Sequence, residues 1–304
     1  MPPADSSVSR LELPEILARA ASHAAFERGH AHVRELAPAT DMQEVKARLA
    51  ATAQARWLLS VIPSFSVGTA QDVRSAAEEA ARGSQLSPSD LQAVAAQLRA
   101  VRLTRRTLEQ EREGAPSLWT IAGTLDARPE LESHINETFD EQGRVADTAS
   151  SELRTLRRQL RQAVSEVHRI MQLLLQSPAA REALQEALIT ERAGRQVVPV
   201  KQALQGSFPG IVHDTSASGA TVYMEPLAAV AANNRVRELE AAERHEIDRI
   251  LRELSAEVRL VHDDIVAGVE GLGAIDGLLA RARFAEAQDA VEPKIGRASC
   301  RERV

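Results

Sequence analysis

The stretch Gly210–Pro226, GIVHDTSASGATVYMEP, interrupts a chain that otherwise reads as helix after helix of Ala, Leu, Arg and Glu. It gathers β-branched residues, small hydroxyls and the chain's only tyrosine, Tyr223. Residues 210–214 have strand composition, and 216–219 (SASG) read as a tight turn in which Gly219 takes positive φ. Residues 220–224 (ATVYM) read as a further strand. Upstream, Arg195–Lys201 (RQVVPVK) has the same composition and is followed by a turn at 206–210. A three-stranded sheet is expected.

Long helical patterns flank this insert. Before it, Leu153, Leu156, Leu160, Val164, Val167, Met171 and Leu174 recur at spacings of three and four, the seam of a coiled coil. A helix over Val145–Gln176 would be about 48 Å long at 1.5 Å per residue. After the insert, Ile247, Leu251, Leu254, Val258, Val261 and Ile265 repeat the pattern. Laying the two helices antiparallel is the simplest way to bury both stripes. The expected organisation is a helical core over 1–143, a first long helix within 144–178 and an insert over 179–226 with a short helix at Ala179–Ile189. A second long helix within 227–268 and a return to the core over 269–293 complete it. Within the core, turn signals at 38–41, 63–68, 84–89, 114–117 and 126–129 separate moderate helices. One of these helices sets Leu91, Val94, Leu98, Val101 and Leu108 on a single face. The fold class is mainly α: a helical bundle with a long two-helix arm carrying a small β insert.

Composition narrows the functions. Of 304 residues, 44% are apolar and 3% aromatic, which suits narrow helix seams. A net charge of −6 argues against nucleic-acid binding by the whole surface and leaves room for a local basic patch. The single cysteine, Cys300, excludes an intrachain disulfide framework and a multi-cysteine zinc site. The start has no signal-peptide pattern, and no segment has the roughly 18 uncharged apolar residues of a membrane span, so a cytoplasmic protein with no membrane partner is expected.

The search for catalytic machinery finds neither a phosphate-binding G-x-x-x-x-G-K-[ST] loop nor a G-x-S-x-G elbow. At His245–Arg249, HEIDR, Arg249 stands where a zincin helix needs its second histidine. His213 and Asp214 are adjacent on a strand and point to opposite faces, which suits neither a relay nor a shared metal. No catalytic residue, metal site or cofactor is expected. Charge placement says more. Arg154, Arg157, Arg158 and Arg161 are spaced to line one helix face, and Arg192, Arg195 and Lys201 add positive charge near the insert. Together with His213 and the hydroxyls of Ser216 and Ser218, they are the candidate nucleic-acid contacts. The competing reading pairs the arginines with Glu238, Glu240, Glu243, Glu246 and Asp248 on the second helix.

Gly194–Ser255 resembles the bacterial second-type MutS family, homologues of the mismatch-repair ATPase that lack its mismatch-reading domain. HDTSASGAT (213–221), EPL (225–227) and Asn233-Asn234 are the most specific part. LELPEIL (11–17), LSPSDL (86–91), DTASSEL (147–153) and ARARFA (280–285) extend the resemblance over residues 11–293. It implies a helical core, lever arms and a clamp at their tip, placed before an ABC-type ATPase domain that binds ATP and magnesium and dimerises, with a small nuclease-like domain beyond. It also implies branched DNA or the collided ribosome and its rRNA as partners. On this reading the chain is the non-catalytic N-terminal part, homodimeric in the full-length parent and weakly associating or monomeric alone. A structural coiled-coil module with a β docking head is the alternative. Gln196 departs from the family, which has an aromatic there. Residues 294–304, KIGRASCRERV, break from the family pattern, resemble a translated sequencing adapter and are expected to be a non-native tail.

Overall fold

The structure is a computed structural model and describes residues 12–293; the expected tail, with Cys300, lies outside the described residues. It is mainly α with one small antiparallel sheet. The chain divides into two compact units, one formed by residues up to Arg144 together with those from Leu251 onward, the other by Val145–Ile250.

In the first unit the turn signals fall between helices: α1 (Leu13–Ala21), α2 (Glu27–Arg34), α3 (Met42–Val61), α4 (Arg74–Ala81), α5 (Pro88–Gln110), α6 (Pro116–Ala122) and α7 (Pro129–Thr138). Ser87 and Asp90 close a capping box at the start of α5, whose Leu91, Val94, Leu98, Val101 and Leu108 are buried. At the centre runs α11 (His262–Ala287), whose buried residues from Ile265 to Ala282 lie on several sides of it, with α2, α3, α4, α5 and α6 against it. Such crowding needs small residues: a Cβ on Gly271 would stand 2.7 Å from a methyl of Leu125. Asp276, fully buried in α11, accepts from Ala25 N and Phe26 N at 2.9 Å each and so satisfies backbone donors at the start of α2.

In the second unit the first long helix, α8, spans Ser151–Gln176 and not Val145–Gln176. Ser150 is extended and its Oγ accepts from Leu153 N at 2.9 Å, so the cap sets the start. The seam is incomplete: Leu153, Val167 and Met171 are buried while Val164 is 41% exposed. The second long helix, α10, spans Leu227–Leu260, and after the single residue Val261 the chain enters α11 at His262. Its seam residues Leu251, Leu254 and Val258 belong to the first unit, as does Ile265. Periodicity reports that a face is buried, not against what. Helices α8 and α10 do run antiparallel: Ser150 Oγ meets Glu246 at 2.6 Å and Arg157 meets Glu243 at 2.7 Å, while Val167 and Met171 share a core cluster with Ala229 and Val236.

The short helix expected at Ala179–Ile189 is α9, Pro178–Ala183, after which Leu184 bridges to Val200. The sheet has four strands, one more than expected: β1 (Thr190–Arg192), β2 (Arg195–Lys201), β3 (Gly210–Thr215) and β4 (Thr221–Pro226), in the order β1-β2-β4-β3. The extra strand, TER, lacks strand composition and is created by its turn. Ala193 and Gly194 take φ of 51° and 72°, the two-residue connection that matches strand twist. Val198, Val200, Val222 and Met224 pack one face of the sheet onto Val167, Met171, Leu184 and Phe208.

Candidate nucleic-acid interface

By the alternation of strand side chains, Arg195, Lys201, Tyr223 and Glu225 turn away from that core. Each tip cation singled out in the sequence is tied into the framework. Arg192 donates to Asp214 Oδ2 at 3.1 Å and lays its guanidinium 4.1 Å from the centre of the Tyr223 ring. Arg195 donates to Glu225 Oε1 at 2.8 Å and to Asn234 Oδ1 at 2.7 Å. Lys201 Nζ donates to the Glu182 carbonyl at 2.9 Å. Arg192 and Arg195 stand opposite each other in the ladder, an arrangement of like charges that costs energy, and Asp214 and Glu225 offset it.

Glu225 is 1% exposed and joins three partners: Arg195, His213 at 2.7 Å and Asn233 Nδ2 at 2.8 Å. A bulge between Val212 and Asp214 leaves His213 outside the ladder pairing, so strict alternation no longer governs its neighbour Asp214. Asn233 also clasps the backbone of Gln196, accepting from its N at 3.3 Å and donating to its O at 3.2 Å. The Gln196 side-chain oxygen is buried without a partner. At the tight turn Gly219 takes φ of 72°, and its N–H donates to Ser216 O at 2.8 Å. Ser216 Oγ accepts from Thr221 N at 3.1 Å and lies 3.4 Å from Ser218 Oγ, leaving Ser218 exposed.

On α8 the four arginines divide. Arg157 and Arg158 are about 100° apart around a helix, enough to send one inward. Arg157 turns in and donates to Glu243 Oε1 and Asp147 Oδ1, both at 2.7 Å, and to Val145 O at 2.8 Å. Burial works against its charge, but the hydrogen bonds to Asp147 and Glu243 outweigh it and hold its pKa above the ordinary arginine value. Arg154 and Arg158 are exposed and have no ion-pair partner among the described residues; the nearest acid to Arg161, Asp147, is 3.8 Å away. Arg158 and Arg161 line a shallow concave strip with Gln162, Ser165, Glu166 and Arg169. Arg169, absent from the candidates the sequence singles out, is neutralised within the strip by Glu166, to which it donates twice at 2.8 and 2.6 Å.

Among the described residues no group of three or more His, Cys, Asp or Glu side chains could hold a metal ion, and no helix is long and apolar enough to cross a membrane.

No protein-family model matches the chain. It is 38% identical over 294 residues to the protein named endonuclease MutS2 of Pelotomaculum thermopropionicum, covering 97% of this chain and 38% of that relative. The like-named protein of Geobacillus thermodenitrificans is 38% identical over 288 residues, covering 94% of this chain and 37% of the relative. That of Thermomicrobium roseum is 37% identical over 289 residues, with 94% and 36% covered. The chain therefore spans little more than a third of the length of the curated relatives it matches. Similarity of this degree along nearly the whole chain makes it a MutS2-like sequence of the MutS family, corresponding to part of its relatives' length.

Proposed function

We propose that the chain is the non-catalytic, nucleic-acid-contacting part of a longer MutS2-like protein, its arm holding phosphates of branched DNA or of ribosomal RNA. The observation that carries this reading is the row Arg154, Arg158 and Arg161, exposed on α8 without the close acid that Arg157 has. Arg154 and Arg158 have no ion-pair partner among the described residues and Arg161 only a loose one, and exposed cations of this kind are suited to displacing counterions from phosphates. The tip cations are held by acids or a carbonyl and serve first to build the sheet; of the tip groups, the Ser218 hydroxyl remains exposed for a phosphate oxygen. ATP, magnesium, dimerisation and any endonuclease activity belong on this reading to the rest of the longer, cytoplasmic protein.

The test compares the full chain with two triple variants, Arg154/Arg158/Arg161→Ala and Arg192/Arg195/Lys201→Ala, for binding of a four-way DNA junction, a duplex and isolated ribosomes over a range of salt. The arm variant is expected to weaken binding and to flatten the salt dependence by a slope of about 0.9 for each duplex phosphate that is no longer neutralised. Unchanged affinity and slope would remove the arm from the interface. A second reading, a protein-docking head, draws on β3, an edge strand whose Ile211 and Val212 are 44% and 42% exposed. Protein binding that persists at high salt and is abolished by Val212→Lys, with no nucleic acid held at low salt, would favour it.

A further inference from the structure

A cleft of about 180 Å³ lies in the first unit between the loop that follows α4 and the C-terminal end of α10. Arg252 and Arg259 are seven residues apart, two helical turns, so they rise from the same face of α10. Ser255 and Ala256, both short, leave the space between them open.

The loop across this space is pinned on both sides. Leu86 N donates to the buried Ser255 Oγ at 2.9 Å, and Ser255 donates in turn to Leu251 O at 2.7 Å, so this hydroxyl is spent on holding the loop to α10. Gly83, at φ 85°, and Ser84 donate their N–H groups to the carbonyls of Ala80 and Glu79 at 2.9 and 3.0 Å, which closes the end of α4. The capping box of Ser87 and Asp90 fixes the far side. Between these anchors the side chains of Ser84 and Gln85 line the cleft, exposed and without a hydrogen bond among the described residues. Arg259 is likewise exposed, with no hydrogen bond or ion pair among the described residues; Arg252 also engages a neighbour. No Asp or Glu lines the cleft. Two guanidinium groups, a hydroxyl and an amide therefore meet there with no carboxylate among them.

We propose that this cleft binds a single phosphate group, held by the Arg259 guanidinium with Arg252, the Ser84 hydroxyl and the Gln85 amide beside it. The volume is below the roughly 300 Å³ at which ordinary small-molecule sites begin, which admits one tetrahedral anion and excludes a whole nucleotide. The planar guanidinium fork matches two phosphate oxygens at once. A loop already fixed by its own backbone has little freedom left to lose on binding. The phosphate group can be a free anion or part of a nucleic-acid backbone, with the same recognition chemistry. None of these residues belongs to the row on α8, so the site stands apart from the contact proposed for the arm.

Inorganic phosphate is the probe, titrated calorimetrically at constant ionic strength into the unaltered chain, Arg259→Gln, Ser84→Ala and Arg154/Arg158/Arg161→Ala. Saturable binding with a Kd of about 1 mM or below is expected. Arg259→Gln should weaken it about tenfold and Ser84→Ala about threefold, both exposed changes, while the α8 variant binds phosphate as the parent does. Absence of saturation at about ten times that Kd would overturn the proposal. Undiminished binding by Arg259→Gln would overturn it too, whatever the α8 variant does with nucleic acid. A four-way DNA junction then separates the two sources, and either result upholds the site. A backbone phosphate predicts that the junction competes with inorganic phosphate and that Arg259→Gln lowers the salt slope of junction binding by about 0.9. A free anion predicts no competition and an unchanged slope.

Discussion

His213 Nε2 lies 2.7 Å from Glu225 Oε2 because the bulge at His213 takes it out of the ladder pairing between β3 and β4. Glu225 is 1% exposed, so its charge depends on Arg195, Asn233 and this histidine. Breaking a buried ion pair from one side leaves the other charge without compensation. Glu225→Ala is expected to destabilise the second unit by about 3 kcal/mol in urea unfolding, and His213→Ala by about 1 kcal/mol. Equal, near-zero effects would show that the network is solvated.

Asp276 gives a pH dependence of defined sign. Burial raises its pKa above 3.8, against the opposing hydrogen bonds from Phe26 and Ala25. A carboxyl whose pKa is raised on folding contributes stability that is fully present below its unfolded pKa and lost as pH rises through its folded pKa. The difference in unfolding free energy between the parent and Asp276→Asn should therefore shift in favour of the parent as pH falls from neutral toward 3.8. Asp72, lowered by its hydrogen bond to Arg74, works in the opposite direction, which is why the single-site comparison is needed.

The β1–β2 turn holds a non-glycine residue in the left-handed region. Ala193→Gly or Ala193→Asn, at φ 51°, is expected to stabilise by about 0.5–1 kcal/mol, read as a rise in urea midpoint. Gly194→Ala would lose stability, since a Cβ there meets the Arg237 guanidinium and φ is 72°.

Neighbouring arginines on α8 should behave in opposite ways. Arg157→Ala removes the partner of Glu243 and Asp147 and is expected to cost about 2 kcal/mol of stability. Arg158→Ala should leave stability within about 0.5 kcal/mol and reduce affinity for a DNA junction. Thermal melts and binding isotherms of the two variants check both halves.

Filling the close approach of α11 to Leu125 is expected to cost about 1–3 kcal/mol for Gly271→Ala, despite the better helix propensity of alanine. A stabilised variant would mean that Leu125 yields freely.

The helices and the main strands are legible in the sequence because local chemistry dictates them. Turn residues sit where helices stop, Leu91 to Leu108 mark a buried face that is buried, and Gly219 takes the positive φ its turn requires. What the sequence hides depends on tertiary partners. The periodic Leu251, Leu254 and Val258 point to a seam with the first long helix and belong instead to the other unit. Strand β1 follows from its turn and its register with β2, neither of which its three residues advertise. Likewise the four α8 arginines share a spacing but not a fate, because Glu243 and Asp147 select Arg157. Nothing in the composition separates a cation that braces the fold from one left for a ligand.

The Arg192–Tyr223 stack has a practical corollary. Tyr223 is the chain's sole tyrosine and lies in the second unit, whereas both tryptophans, Trp57 and Trp119, lie in the first. The polypeptide thus carries a different native chromophore in each half. Near-ultraviolet spectra recorded during denaturation can report whether the halves melt in one step or two, without any label.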